Sequence, residues 1–349
     1  MLENWINGLP VAVVVLLLIV GFALLIKGAD FFVEGASSVA KQFHVPAIII
    51  GLTVVAMGTS LPETAVSVTS SVKGDNALAI SNAIGSNIFN MMVVIGVCAV
   101  LTPILVEKDT VKRDIPFSAI CALLLLGGGL LLVANDRAIL TSALSEANAD
   151  HVIGVLGHVD GIIFLLLFAA YIVVLVRTAL KAAKEGRAVE VEGGSDEEIR
   201  LLPTWQSILY IIGGGAAIAF GGDLTVDTAS RIAADLGMSQ TLIGLTIVSI
   251  GTSLPELVTT IVAARKNEVD LALGNAIGSN VFNILMVLGI ASAISPITMI
   301  MENVIDIIVL LVFTGVVWIF AATKKKLGRL EGVIMLVLYA GYAVYIFLR

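Results

Sequence analysis

Charge is scarce in this chain. Lys, Arg, Asp and Glu make up 13% of its 349 residues, about half the share of an ordinary soluble domain, which excludes a chain of this length solvated on every side. Cysteine is scarcer still. The two thiols, Cys98 and Cys121, lie in or beside apolar stretches. They cannot form a disulfide framework and read as small buried hydrophobes, so they indicate no redox compartment. The three histidines, His44, His151 and His158, all fall outside the interiors of the apolar stretches. That leaves no imidazole to serve as a base for a buried nucleophile, and it argues against zinc, copper or iron.

Hydrophobicity is what the chain has in excess: 58% of residues are apolar and the mean hydropathy is +1.04. Roughly 20 apolar residues cross a bilayer core. On that scale the sequence predicts an all-α membrane protein with ten transmembrane helices, near 11–33, 46–72, 76–101, 114–134, 161–181, 205–228, 239–265, 269–295, 303–322 and 329–348. Ten spans divide into two halves of five. An odd number in each half forces opposite orientations, so the reading is two inverted five-helix repeats: residues 1–181, a cytoplasmic linker 182–203, and residues 204–349.

The distribution of basic residues supports this orientation. With the N-terminus outside, the inside segments hold Lys41, Lys108, Lys112, Arg113, Arg177, Lys181, Lys184, Arg187, Arg200, Arg265, Lys266, Lys324, Lys325, Lys326 and Arg329. The outside segments hold only Lys73, Arg137, Arg231 and Arg349. This is the positive-inside bias, and it places both termini outside the cell (inner) membrane. The N-terminal MLENWINGLP is acidic, unlike the start of a signal peptide, so the first span is expected to be retained. The 135–161 segment, with Asp136, Glu146, Asp150, His151, His158 and Asp160, reads as a solvated acidic external loop, since its spacing matches no metal motif. GGSDEE in the linker reads as flexible. No nucleic acid and no protein partner is implied; the surroundings are the lipid bilayer.

Against this apolar background one pattern repeats. GTSLPE occurs at Gly58–Glu63 and again at Gly251–Glu256. SNAIGSNIFN at Ser81–Asn90 is matched by GNAIGSNVFN at Gly274–Asn283. Both copies are offset by 193 residues, and the same offset relates Asp30 to Asp223, Glu34 to Asp227 and Pro103 to Pro296. The chain is an internal duplication that places a glutamate at membrane depth twice. Such residues are costly and are read as functional.

The chemistry of each copy follows from its residue types. Thr59 and Glu63 share a helix face. Pro62 has no N–H and clashes with the preceding turn, so a kink or break is expected there, with carbonyls near Ala56 to Gly58 short of partners. Irregular backbone at this depth survives only where it lines a cavity or is buried in protein. Carbonyls, the hydroxyls of Thr59 and Ser60 and the Glu63 carboxylate then converge. Ser249, Thr252, Ser253 and Glu256 repeat the arrangement around Pro255. Asn82, Ser86 and Asn90 recur every four residues on one helical face, as do Asn275, Ser279 and Asn283. Asn87 and Asn280 fall off that stripe and read as packing. For Ser60, Ser253, Asn82 and Asn275, helix packing and ion contact remain equally open. The ligands are all hard oxygens, which suit Ca²⁺, and Na⁺, of similar size, should compete. Two ionised carboxylates are matched by one Ca²⁺ or by Na⁺ ions with nearby dipoles. Emptied, they would be expensive in a low dielectric, so the empty site should resist crossing and exchange becomes obligatory. A passive channel also needs oxygen rings and is the alternative from outside the exchanger class. An intramembrane hydrolase built on Ser60 or Ser253 would lack a base.

With these duplicated motifs, across both halves and nearly every span, the chain resembles the cation/calcium exchanger superfamily, specifically its prokaryotic sodium/calcium antiporters. The resemblance implies ten helices in two inverted halves, with the first and sixth helices long, tilted and sliding to alternate access. It also implies central calcium ligation by Glu63 and Glu256 and carbonyls from Thr59 and Thr252. Carbonyls of Ala56 and Ser249 would serve flanking sodium sites, hydroxyls would come from Ser60, Ser253, Ser86 and Ser279, and Asn90 and Asn283 would complete the middle site. No cofactor beyond the transported Ca²⁺ and Na⁺ is implied. Asn283, where potassium-dependent relatives carry Asp, leans away from K⁺ dependence. NAIGSN, where proton-coupled relatives carry a Glu, leans away from Ca²⁺/H⁺ exchange.

Overall fold

A computed structural model describes residues 6, 8–73, 76–131, 152–184, 201–238 and 249–348. Among them, eight helices are long and apolar enough to cross a membrane, and nine if the bent pair Ala47–Thr59 and Leu61–Lys73 counts as one span. Of the predicted span 239–265, residues 239–248 lie outside the described set. Large apolar side chains such as Leu16, Leu166, Ile212 and Val337 point outward. That is the arrangement of helices solvated by lipid rather than by water.

The chain forms two compact units, and each takes helices from both sequence halves. The first comprises residues 1–62 and 177–276. Its frame is the helix pair Val11–Gln42 and Thr204–Asp235, 32 residues each, both entered from a proline (Pro10 and Pro203). Each proline lies just before the first helical residue, where its missing N–H is not needed. The helices run antiparallel and nearly touch. A Cβ on Gly28 would lie 2.9 Å from the Gly214 carbonyl, one on Gly35 2.7 Å from that of Ser207, and one on Gly221 2.9 Å from that of Gly21. Small residues permit this approach, and in lipid, close packing is what holds helices together.

Both long helices stop in the same way. His44 and Gly237 adopt left-handed conformations at φ 52° and 88°. The next amide reaches back to close the turn, Val45 N to Ala40 O at 2.8 Å and Met238 N to Ala233 O at 3.0 Å. This is a helix-ending motif that glycine suits best, so His44 has a structural part to play.

These helices overrun the predicted spans 11–33 and 205–228. At 1.5 Å per residue they measure about 48 Å, well beyond a hydrocarbon core of about 30 Å. Asp30 and Glu34, near the end of the predicted first span, both lie within this one continuous helix. Asp30 is joined there by Lys266, whose Nζ donates to its backbone carbonyl at 3.0 Å and lies 3.7 Å from its carboxylate.

The second unit comprises residues 63–176 and 277–349. Here the duplication is visible in helix boundaries. Asn76–Phe89, a π-helical turn Asn90–Val94 and Ile95–Leu101 correspond, 193 residues on, to Val269–Phe282, a π turn Asn283–Val287 and Leu288–Ile294. The remaining helices include Ile115–Leu131, His158–Lys184, Met301–Lys324 and Arg329–Leu348.

Two short antiparallel pairings depart from the all-helical expectation: Ile104–Leu105 with Lys326–Leu327, and Val152–Leu156 with Ile297–Ile300. The second corrects the reading of 135–161 as a solvated loop over its last ten residues. Val155 and Leu156 are buried. Asp160, also buried, accepts from the Gly157 amide at 2.9 Å in the first turn of the next helix, as a carboxylate at a helix N-terminus should. His151 and the acidic residues before it lie outside the described residues.

Candidate ion-binding site

The GTSLPE motif breaks its helix as proline chemistry requires. The axis bends by 50° between Ala47–Thr59 and Leu61–Lys73, with Ser60 at φ −85°, ψ 15° as the joint. In the second copy, Ser249–Gly251 gives way to Leu254–Arg265 through Ser253 at φ −90°, ψ 4°. Pro62 and Pro255 cannot donate to the carbonyls of Gly58 and Gly251, four residues back. The carbonyl of Ala56 is not released as expected. It accepts from Ser60 N at 3.0 Å and from the Thr59 hydroxyl at 3.4 Å, because the last turn before the break stays closed. Gly58 lets this turn settle on Phe32, whose Cζ would stand 2.6 Å from an added Cβ.

In both copies the break puts the glutamate into the first turn of the following helix. There the helix dipole favours a negative charge. Glu63 and Glu256 are both fully buried.

In the first unit, Glu256 accepts from the Ser60 hydroxyl at 2.7 Å through Oε1. The Thr59 hydroxyl donates to Asn275 Oδ1 at 3.0 Å, and Asn275 Nδ2 in turn lies 3.0 Å from Thr260 Oγ1 and 3.4 Å from the Glu256 carbonyl. Ala56, Thr252 and Ser253 of the expected set are buried in this unit. Ser249 opens its helix here, and its side chain lies outside the described residues.

In the second unit, Glu63 accepts from Ser86 Oγ at 3.4 Å. Asn82 Nδ2 donates to Ser67 Oγ at 3.1 Å and to the Glu63 carbonyl at 3.4 Å. Asn90, Ser279 and Asn283 are buried in the same unit. Asn90 Oδ1 and Asn283 Oδ1 are buried acceptors with no hydrogen-bond partner. A polar atom left so in a folded interior calls for an explanation.

Asn82 and Asn275 thus act first as braces, each tying its helix to the backbone of the motif glutamate. The hydroxyls of Ser67 and Thr260 complete the braces and were not singled out by sequence. Their signal was present, since they are related by the same offset of 193 and each follows its glutamate by four. Asn87 and Asn280, read as packing, form a reciprocal pair in the second unit. Among the described residues no three of His, Cys, Asp and Glu gather into a metal-holding group. The polar surfaces around the glutamates are hydroxyls and amides, the oxygen chemistry of a hard cation.

Comparison with known proteins gives a consistent result. A family model described as sodium/calcium exchanger protein matches residues 13–177 and 206–348. Putative antiporter CaxA from Alkalimonas amylolytica is 37% identical over 348 residues, spanning 96% of this chain and 99% of its own. Sodium/calcium exchanger MaX1 from Methanosarcina acetivorans is 33% identical over 356 residues, spanning 95% of this chain and 98% of its own. Inner membrane protein YrbG from Escherichia coli is 36% identical over 285 residues, spanning 80% of this chain and 79% of its own. A solved structure of the sodium-calcium exchanger NCX_Mj superposes with a TM-score of 0.75 at 31% identity, spanning 95% of this chain and 98% of that one.

Proposed function

Because this chain belongs to the sodium/calcium exchanger family, we propose that it is a secondary antiporter that exchanges Na⁺ for Ca²⁺ across the cell (inner) membrane by alternating access. The observation that carries this reading is the duplicated GTSLPE break. Each copy places a fully buried glutamate at a helix N-terminus beside a hydroxyl donor. A carboxylate kept ionised in such a place calls for a compensating cation.

Glu63 and Glu256 supply the charge for Ca²⁺, and Thr59 and Thr252 add carbonyl oxygens. Ala56 and Ser249 offer carbonyls to flanking Na⁺. Ser60, Ser253, Ser86 and Ser279 add hydroxyls, and Asn90 and Asn283 add amide oxygens. The fold around them is ten helices in two inverted halves, 1–181 and 204–349, joined by the 182–203 linker. Both termini are outside. The antiparallel packing of Val11–Gln42 on Thr204–Asp235, related by the 193-residue offset, supports the inversion. The emptied site carries uncompensated charge in a low dielectric, so the protein changes facing only when loaded, and exchange is enforced electrostatically.

The test is ⁴⁵Ca²⁺ uptake into proteoliposomes loaded with Na⁺, with imposed K⁺ or H⁺ gradients as separate arms. Uptake that requires internal Na⁺ and ignores the other gradients is expected. Uptake unchanged with choline inside and the pH gradient collapsed would overturn Na⁺ coupling, and uptake with no counter-ion at all would indicate a channel.

A further inference from the structure

We propose that Asn87 and Asn280 are positioning residues. They lock the side-chain amides of Asn283 and Asn90 so that only the carbonyl oxygen of each is offered to the ion. The inference rests on the proposed ligand roles of Asn90 and Asn283 and adds the device that orients them.

The argument begins with a group whose polarity is not in question. A backbone carbonyl only accepts hydrogen bonds. Asn87 meets the backbone carbonyl of Asn280 at 3.1 Å, so the atom it presents there is Nδ2. Its Oδ1 therefore faces the other way, and it meets the amide of Asn283 at 3.1 Å. An oxygen can be met there only by a donor, so Asn283 turns its Nδ2 inward and its Oδ1 is left over. The mate repeats the sequence of constraints. Asn280 Nδ2 is committed to the Asn87 backbone carbonyl at 3.1 Å, Asn280 Oδ1 receives Asn90 Nδ2 at 3.3 Å, and Asn90 Oδ1 is left over.

The two leftover oxygens are the buried acceptors without a hydrogen-bond partner. Turning either amide over would set its Oδ1 against the partner's Oδ1 and leave a bare Nδ2 instead, so the network itself holds the acceptor outward. A cation accepts only the oxygen. The four asparagines, all fully buried, thus convert an ambivalent side chain into one of fixed polarity. The connectivity is crossed: Asn87 controls Asn283 and Asn280 controls Asn90, although Asn87 and Asn90 are neighbours on one helix, as are Asn280 and Asn283.

The experiment is a set of double-mutant cycles read as the half-saturating Ca²⁺ concentration for exchange in proteoliposomes. Outer partners of metal ligands are worth about 10- to 100-fold in metal affinity. N283A alone is therefore expected to raise half-saturation about tenfold, N87A by a similar factor, and N87A/N283A by little more than either. N280A/N90A should behave in the same way. The same-helix pairs N87A/N90A and N280A/N283A should instead combine multiplicatively.

If N90A and N283A each leave half-saturation unchanged, the ligand reading itself fails. If they are impaired but the crossed pairs multiply while the same-helix pairs couple, the positioning role is overturned and the asparagines serve helix packing. Where N87A does not give monodisperse protein, the Asn280 cycle reads the same quantity. Loss of folded protein from both N87A and N280A assigns the pair to packing and overturns the proposal.

Discussion

Asn87 and Asn280 stand 193 positions apart, and each donates its side-chain amide to the other's backbone carbonyl at the same 3.1 Å. A duplicated segment here binds its own copy. The braces on the glutamates repeat this symmetry within their own surroundings. Asn82 reaches Ser67 at 3.1 Å and Asn275 reaches Thr260 at 3.0 Å, and both lie 3.4 Å from the carbonyl of a motif glutamate. Matched geometry at matched positions implies matched sensitivity to mutation.

The two carboxylates should therefore fail alike. E63Q and E256Q each preserve shape and remove one of two charges facing the divalent ion. Breaking a buried charge pair costs about 3–5 kcal/mol, enough to abolish ⁴⁵Ca²⁺ uptake while the proteins still insert and fold. E197Q, in the linker, should be nearly silent. Near-normal transport by either buried variant would remove that residue from the site.

The hydroxyls supporting those carboxylates should rank by distance. Ser60 donates to Glu256 at 2.7 Å, whereas Ser86 stands 3.4 Å from Glu63. A hydrogen bond to a charged group contributes about 1.5–3 kcal/mol, and it weakens as it lengthens. S60A should raise the half-saturating Ca²⁺ concentration at least tenfold and S86A by less. The reverse order in the same transport assay would show that distance to the carboxylate does not set their importance.

Orientation can be read directly. Cysteines introduced at Leu2 and Leu348 should react with a membrane-impermeant maleimide on intact cells. Cys98 and Cys121 are completely buried and give a quiet background. Reaction only after permeabilisation would reverse the topology.

Helix termination offers a stability test remote from the ions. His44 holds a left-handed conformation that its counterpart 193 residues on fills with glycine, Gly237. Side chains pay for that conformation about 1–2 kcal/mol, partly offset by the greater freedom of glycine in the unfolded chain. H44G should raise the thermal midpoint of detergent-solubilised protein by a few degrees, and G237A should lower it. A drop in H44G would mean that the imidazole makes a contact worth more than the strain.

The register of the duplication was fully legible in the sequence, because two long motifs and several isolated residues share one offset. The structure honours that register in the boundaries of Asn76–Phe89 and Val269–Phe282 and in the π turns that follow. Proline chemistry located the break at Ser60. The extent of the long helices was not legible. Lys27, Asp30 and Glu34 interrupt the apolar run, and one contact that Asp30 makes there comes from Lys266, more than 200 residues away in sequence. The strand at Val152–Leu156 was hidden for a similar reason, since its partner, Ile297–Ile300, is remote and neither is long enough to show a period. Asn87 and Asn280 were read as packing because they fall off the stripe. Which atoms they present to each other is a three-dimensional fact that no helical wheel contains.

The glycine-lined contact between Val11–Gln42 and Thr204–Asp235 has a mechanical meaning. Backbone rests on backbone at Gly21, Gly28 and Gly35, points spread over about 21 Å of axis. Three such supports remove separation and rocking as degrees of freedom. The two rods therefore behave as one beam with two ends. A force applied to the segment inherited by either half therefore bears directly on its twin, backbone on backbone.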